Sequence, residues 1–295
     1  MTQLQSHPQA LDEALERMST LDFELPNGFV NHGPMACEAL AVLGCHDQIE
    51  GWARWFTHVV GEGPTAVAPS ITSRFDWQDA LGDYRRLPEW IGYFEQEAAV
   101  GGWQSLAEQW VPRLMPALAT ALFHGAIRTA HAVRGVSTVD TPPRRTELAR
   151  ALGYWAARFR IGESDAEPRP TGDTARGVVD AAASGARHYL DAPNILRLHG
   201  VTGAMAVNLL LDHLSPEDGF DALRQIHAEH LALYGSAPPS SVVSDSATWD
   251  EGLGRVAAES QDAHQVKLVE ACRRGFAVSN DPVFAAAASR STGRS

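Results

Sequence analysis

Lysine is almost missing from this chain. Of 24 basic residues in 295, 23 are arginine and one, Lys267, is lysine. Cysteine is scarce too. Cys37, Cys45 and Cys272 are odd in number and form no Cys-x-x-Cys pair, which argues against a disulfide framework or a zinc ribbon and for a reducing compartment. No basic head followed by an apolar run opens the sequence. The longest apolar windows, such as Leu114–Phe123, are too short and too interrupted to span a bilayer. The expectation is a cytoplasmic protein with no membrane segment. Positive charge is in deficit, with 36 acidic residues and a net charge of −12. A surface of that sign repels phosphate, so nucleic acid and anionic membranes are poor partners. Strand-like alternation is rare, and no Gly-x-Gly-x-x-Gly follows a strand, so no dinucleotide domain is expected.

What is present is a helical pattern in a globular composition of 44% hydrophobic and 20% charged residues. The apolar spacing predicts helices over Gln9–Thr20, from Pro34 to a cap at Gly44, and over Trp52–Val60. Gly61–Ser73 reads as loop. Further helices are predicted at Asp76–Leu81, Leu87–Gln96 and Trp103–Val111, from Pro112 to about Gly135, and at Leu148–Phe159. Gly162–Thr174 is the best hinge or surface loop. Beyond it, helices are predicted at Val178–Leu190, Asn194–Leu214, Gly219–Tyr234 and Trp249–Arg274, with breaks at Pro216 and Gly235–Asp245. Both ends, roughly Met1–His7 and Ala285–Ser295, are expected to fray. The fold class is therefore all-α, in one large helical domain, because no linker separates two self-sufficient cores.

The sequence holds 12 histidines, and helical geometry separates those that face inward. His124 and His131 are seven residues apart and lie within about 20° of one another, with Arg128 between them. His199 shares a face with Ile195, Ala206 and Leu210. His264 and Lys267 fall on a stripe with Trp249, Leu253, Val256, Ser260 and Ala271. His32 stands at a loop-to-helix junction where backbone N–H groups are free. Taken singly, a histidine on an apolar face is more often a hydrogen-bonded core residue than a ligand. Lys267 alone is as well explained by snorkelling to the surface. Yet a buried amine sheds its proton, which arginine does not, so the lone inward lysine points to amine chemistry. His227 and His230 form His-x-x-His and read as a solvated helix face. For His7, His46, His58 and His188 the sequence itself suggests no role.

Several segments carry a family resemblance in order along most of the chain. They are Asn31-His32-Gly33-Pro34-Met35 and the run from His124 to Arg134, HGAIRTAHAVR. Glu147-Leu148-Ala149 and Tyr154-Trp155-Ala156-Ala157-Arg158 follow, then His199-Gly200-Val201-Thr202-Gly203 and Asp262-Ala263-His264-Gln265-Val266-Lys267. Together they resemble the questin oxidase-like family. The sequence departs from it at Met35, where some members carry another histidine. The resemblance implies a helical oxygenase that opens the ring of an aromatic polyketide or quinone with dioxygen. It also implies mononuclear non-haem Fe(II), held by histidines and a carboxylated lysine. Carried over, the ligands are His32, His124, His199, His264 and Lys267, with His131 the alternative to His32.

Neutral imidazoles suit iron(II), and a lysine carbamate would balance the ion's charge. Glu38 or Asp262 would supply it if Lys267 stayed an amine. The Cα atoms of His124 and His131 are about 10.5 Å apart at 1.5 Å per residue. His124 is therefore the better ligand of the pair. His131 is assigned as a base facing the substrate, or as a group behind the ligands, and Arg128 or Arg134 as the holder of an anionic oxygen. Both arginines are equally well explained as helix-linking salt bridges. Tyr154, Trp155 and Phe123 are candidates for an aromatic slot. A reductant such as NADPH would come from a partner or bind without a dinucleotide fold. Two rivals use the same residues: a metal-dependent hydrolase, with zinc, and a non-catalytic helical binding protein whose histidines are structural.

Overall fold

The computed structural model describes residues 7–71, 77–162, 173–240, 243–244 and 247–294. Most of the predicted Gly162–Thr174 loop, and the start of the chain before His7, lie outside those residues. Thirteen α-helices occur among the described residues, with two isolated bridges and no strand. They are α1 (His7–Met18), α2 (Gly33–Val42), α3 (His46–Val59), α4 (Trp77–Ala80), α5 (Leu87–Leu114), α6 (His124–Thr138) and α7 (Pro142–Ala157). The second half holds α8 (Thr174–Asp191), α9 (Ile195–Leu210), α10 (Pro216–Tyr234), α11 (Leu253–Glu259), α12 (Ala263–Ser279) and α13 (Pro282–Thr292). The fold class is all-α, as the periodicity indicates. Buried apolar residues from Leu11 to Ala288 form one contiguous cluster.

Several predicted boundaries move, each for a physical reason. The helix expected from Pro112 to Gly135 does not exist as one piece. A 3₁₀ turn at Met115–Ala117 ends α5, and Ala121, Leu122 and Phe123 then adopt positive φ of 50°, 55° and 66°. Three successive non-glycine residues in the left-handed region cost about 1 kcal/mol or more each. The full burial of Phe123 offsets that cost. The predicted Trp249–Arg274 helix also breaks, at Gln261 (φ 56°), where the Asp262 side chain caps α12 by accepting from the His264 N–H at 2.9 Å. The stripe from Trp249 to Ala271 is thus not one helical face; only its last three members share α12. The break predicted at Pro216 falls at Leu214 and Ser215, and Pro216 is the first residue of α10 after the Ser215 cap, so that helix starts before the predicted Gly219. The tail expected to fray from Ala285 is helical, because Val283, Phe284, Ala285, Ala287 and Ala288 are buried. Leu87–Leu114 is interrupted at Gly102 (φ 79°), which agrees with the two helices predicted there.

Four helices form the frame that matters for function. α2 packs on α6, α6 on α9, α9 on α12, and α12 back on α2. This closed ring is backed by α7 against α6, α3 against α2, α8 against α9 and α13 against α12. Small residues allow the close approaches. A Cβ on Gly125 of α6 would fall 2.5 Å from the Trp155 ring on α7, and one on Gly203 of α9 would fall 2.4 Å from Phe123.

Candidate metal centre

Each helix of the ring brings one histidine. His32 is the residue before α2, His124 is the first residue of α6, His199 the fifth of α9, and His264 the second of α12. One nitrogen from each lies within 4.8 Å of the others, so the four imidazoles meet at one point. His32, His124 and His199 are buried and His264 partly so. The four histidines gather at the N-terminal ends of their helices. Residues six to ten positions further along each helix also meet one another, as described below, so the four run parallel from the site.

Hydrogen bonds fix which nitrogens face inward. The Nδ1–H of His124 donates to the Ala121 carbonyl, and that of His199 to the Ile195 carbonyl at 2.6 Å. A carbonyl only accepts, so both Nδ1 atoms carry the proton and both Nε2 atoms present lone pairs. Those two Nε2 atoms are 3.1 Å apart, and His32 Nε2 is 2.8 Å from His124 Nε2. His264 sets its Nδ1 3.5 Å from the Asp262 carboxylate and leaves a buried Nε2 with no partner among the described residues. The facing lone pairs of His124 and His199 repel one another unless a cation lies between them. Two nitrogens each about 2.1 Å from one ion sit roughly 3.0 Å apart at a right angle. The donor set fits a metal.

Protons are an unsuitable substitute. Burial, reinforced by the charge of Lys267, holds His32 and His124 well below the ordinary imidazole range and His199 at about 3. Burial likewise lowers His264 against the pull of Asp262. Lys267 is 1% exposed, and its Nζ has no hydrogen-bond partner among the described residues. Desolvation brings its pKa down to about 7, so a large share of the amine is neutral at neutral pH. The lysine therefore belongs to the same electrostatic unit as the histidines.

A pH dependence follows. Unfolded imidazoles titrate near 6.5 and the clustered ones lower. As pH falls below 6.5, the unfolded chain takes up protons that the folded core refuses, and stability drops progressively toward the folded values. At pH 5 each depressed histidine contributes up to roughly 2 kcal/mol of loss. Melting of the metal-free protein at pH 7.5 and pH 5 checks this; equal melting temperatures would contradict it.

The other sequence candidates stand elsewhere. Arg128 grips Glu147 of α7 with bonds of 2.7 and 2.9 Å and lies over the Phe23 ring at 4.6 Å. His131 donates from Nδ1 to Glu38 at 2.6 Å, and Arg134 bridges Glu38 and Glu270. Neither Arg128 nor His131 joins the histidine cluster, and Glu38 is committed to His131 and Arg134. Of the proposed aromatic slot, Phe123 packs on Gly203 and Trp155 donates to the Ala117 carbonyl at 3.1 Å. Tyr154 alone lines a cleft, of about 790 Å³, together with Val30, Ala121, Phe159, Arg158 and Arg160. That cleft shares Ala121 with the carbonyl that holds His124. His230 is buried with its Nε2 on the Gly200 carbonyl at 3.0 Å, not on a solvated face.

Sequence reasoning missed Glu270 and Arg274. Their signal was present, since Glu270 is one turn beyond Lys267 and four residues before Arg274, a pairing distance on a helix. No protein-family model matches this chain, and no curated protein matches it.

Proposed function

We propose that His32, His124, His199, His264 and Lys267 hold a mononuclear iron(II), and that the chain is a non-haem oxygenase acting on a phenolic or quinone-type aromatic. The observation that carries this reading is the convergence of four imidazoles from four helices beside a buried amine that has no hydrogen-bond partner among the described residues. The resemblance of the same segments to the questin oxidase-like family supports it. So does the absence of any carboxylate from the histidine group among the described residues, since a hydrolytic metal pair calls for more acidic ligands.

Bound iron(II) supplies the one-electron chemistry that lets spin-paired organic molecules react with dioxygen. The protein does the rest. Carbonyls of Ala121 and Ile195 and the carboxylate of Asp262 orient the rings of His124, His199 and His264. The positive ends of four parallel helices face the ligands and call for negative charge there. The Lys267 amine provides it by adding to carbon dioxide: an N–C bond forms, one proton leaves, and a carbamate anion results. The substrate lies in the 790 Å³ cleft, with its ring against Tyr154, Phe159 and Val30 and any acidic group toward Arg160. A reductant such as NADPH, where turnover needs one, acts through a partner.

Metal analysis of anaerobically purified protein tests the reading. About one iron per chain in the native protein, lost in Lys267→Ala, is expected. Zinc with oxygen-independent turnover would favour the hydrolase instead. No stoichiometric metal would leave a helical binding protein.

A further inference from the structure

Beneath the histidines lies a second layer of buried polar groups. Glu38 follows His32 by six residues on α2. His131 and Arg134 follow His124 by seven and ten on α6. Glu270 and Arg274 follow His264 by six and ten on α12, and Met205 follows His199 by six on α9. Six or seven residues of helix advance about 9–10 Å and ten about 15 Å. The layer therefore lies below the ligands on all four helices, with the long side chains of Arg134 and Arg274 reaching the carboxylates.

Its members form one connected chain. Arg134 donates to Glu38 at 2.8 and 2.6 Å and, through its other terminal nitrogen, to Glu270. His131 donates to Glu38 at 2.6 Å. Arg274 donates to Glu270 at 2.6 and 3.3 Å and to the Met205 carbonyl at 2.9 Å. α2, α6, α12 and α9 are thus tied in sequence around the ring. Two carboxylates face two guanidiniums, so the layer is neutral. Glu38 and Glu270 are 5% and 1% exposed. Buried ion pairs of this kind are weak sources of net stability, and in some proteins they select a single geometry.

We propose that Glu38, Arg134, Glu270 and Arg274 are positioning residues that set the spacing of the four ligand-bearing helices and so the affinity for the metal. None of them belongs to the histidine group. The proposal rests on the metal reading above. A purely structural role makes a different prediction, and α6 supplies the control. Arg128 and Glu147 form an equally buried, bidentate pair that ties α6 to α7, which carries no ligand.

The test is anaerobic titration with Fe(II) against a competing chelator, far below the melting temperature, for native protein, Glu38→Gln, Glu270→Gln and Glu147→Gln. Arg274→Gln, at the layer's edge, is the milder variant should Glu270→Gln fold poorly. Glu38→Gln and Glu270→Gln are expected to bind Fe(II) about 10–100-fold more weakly. Glu147→Gln should lose a comparable number of degrees in melting temperature, with affinity within about threefold of native. Unchanged affinity in the layer variants, or an equal loss in Glu147→Gln, overturns the proposal while leaving the metal site standing. Native protein that binds no Fe(II) overturns the metal reading, and this proposal falls with it.

Discussion

Lys267→Met is expected to make the metal-free protein more stable and, in the same stroke, to abolish metal binding. The Lys267 amine is buried with no hydrogen-bond partner among the described residues, and its pKa falls from 10.5 to about 7. The unfolded chain keeps the proton through that interval and the folded chain sheds it. The sign is therefore fixed: native lysine penalises folding fully at and below about pH 7, and the penalty disappears as pH rises toward 10.5. Linkage puts it at roughly 5 kcal/mol at neutral pH. Methionine fills a similar volume without a charge to desolvate and without an amine to modify. Denaturant unfolding of both proteins, stripped of metal and carbon dioxide, should show a gap of several kcal/mol at pH 7 that shrinks to about 1 kcal/mol by pH 10. A loss of stability at pH 7 would mean that Lys267 has a partner in the folded state and that its amine is not held in reserve. A residue kept at such a cost, in a chain that otherwise uses only arginine, is the expected signature of function opposing stability.

Gly203→Val should have the next largest effect, in the opposite direction. Gly203 follows His199 by one turn, and a Cβ there would come 2.4, 2.6 and 2.9 Å from three atoms of the Phe123 ring. Phe123 is fully buried, holds φ at 66° and directly precedes His124. The glycine is thus the socket that lets a strained turn seat its aromatic anchor and aim the first residue of α6. A valine pushes the ring out of that socket, so a destabilisation of about 1–3 kcal/mol or more is expected. The Phe123 shift also carries His124 away from His199, and metal content should fall with it. Gly51→Ala is the matched control. It lies within α3, and an added Cβ meets nothing within 4 Å, so it should be neutral or stabilising by up to about 1 kcal/mol. Native-like metal content and melting in Gly203→Val would show that the Phe123 contact does not position His124.

Much of the site was legible before any coordinates. His199 and Lys267 sit on apolar faces, and the deficit of lysine singles out Lys267. Arg128 and His131 show where such reading stops. Each is inward-facing, as the spacing indicates, yet Arg128 spends its charge on Glu147 and His131 donates to Glu38. Periodicity reports which face of a helix is buried. It carries no information about which other helix that face will meet.

The sequence alone therefore determined the helical class, the poverty of anion-binding charge and the residues able to turn inward, because those follow from composition and from contacts within a few residues. Tertiary structure decided that four of the 12 histidines share one point and that Glu38, Arg134, Glu270 and Arg274 join beneath them. It also decided that the chain breaks at Ala121–Phe123 and at Gln261, where ordinary residues take positive φ. Those choices are unfavourable locally. They exist only because burial between helices distant in sequence outweighs them.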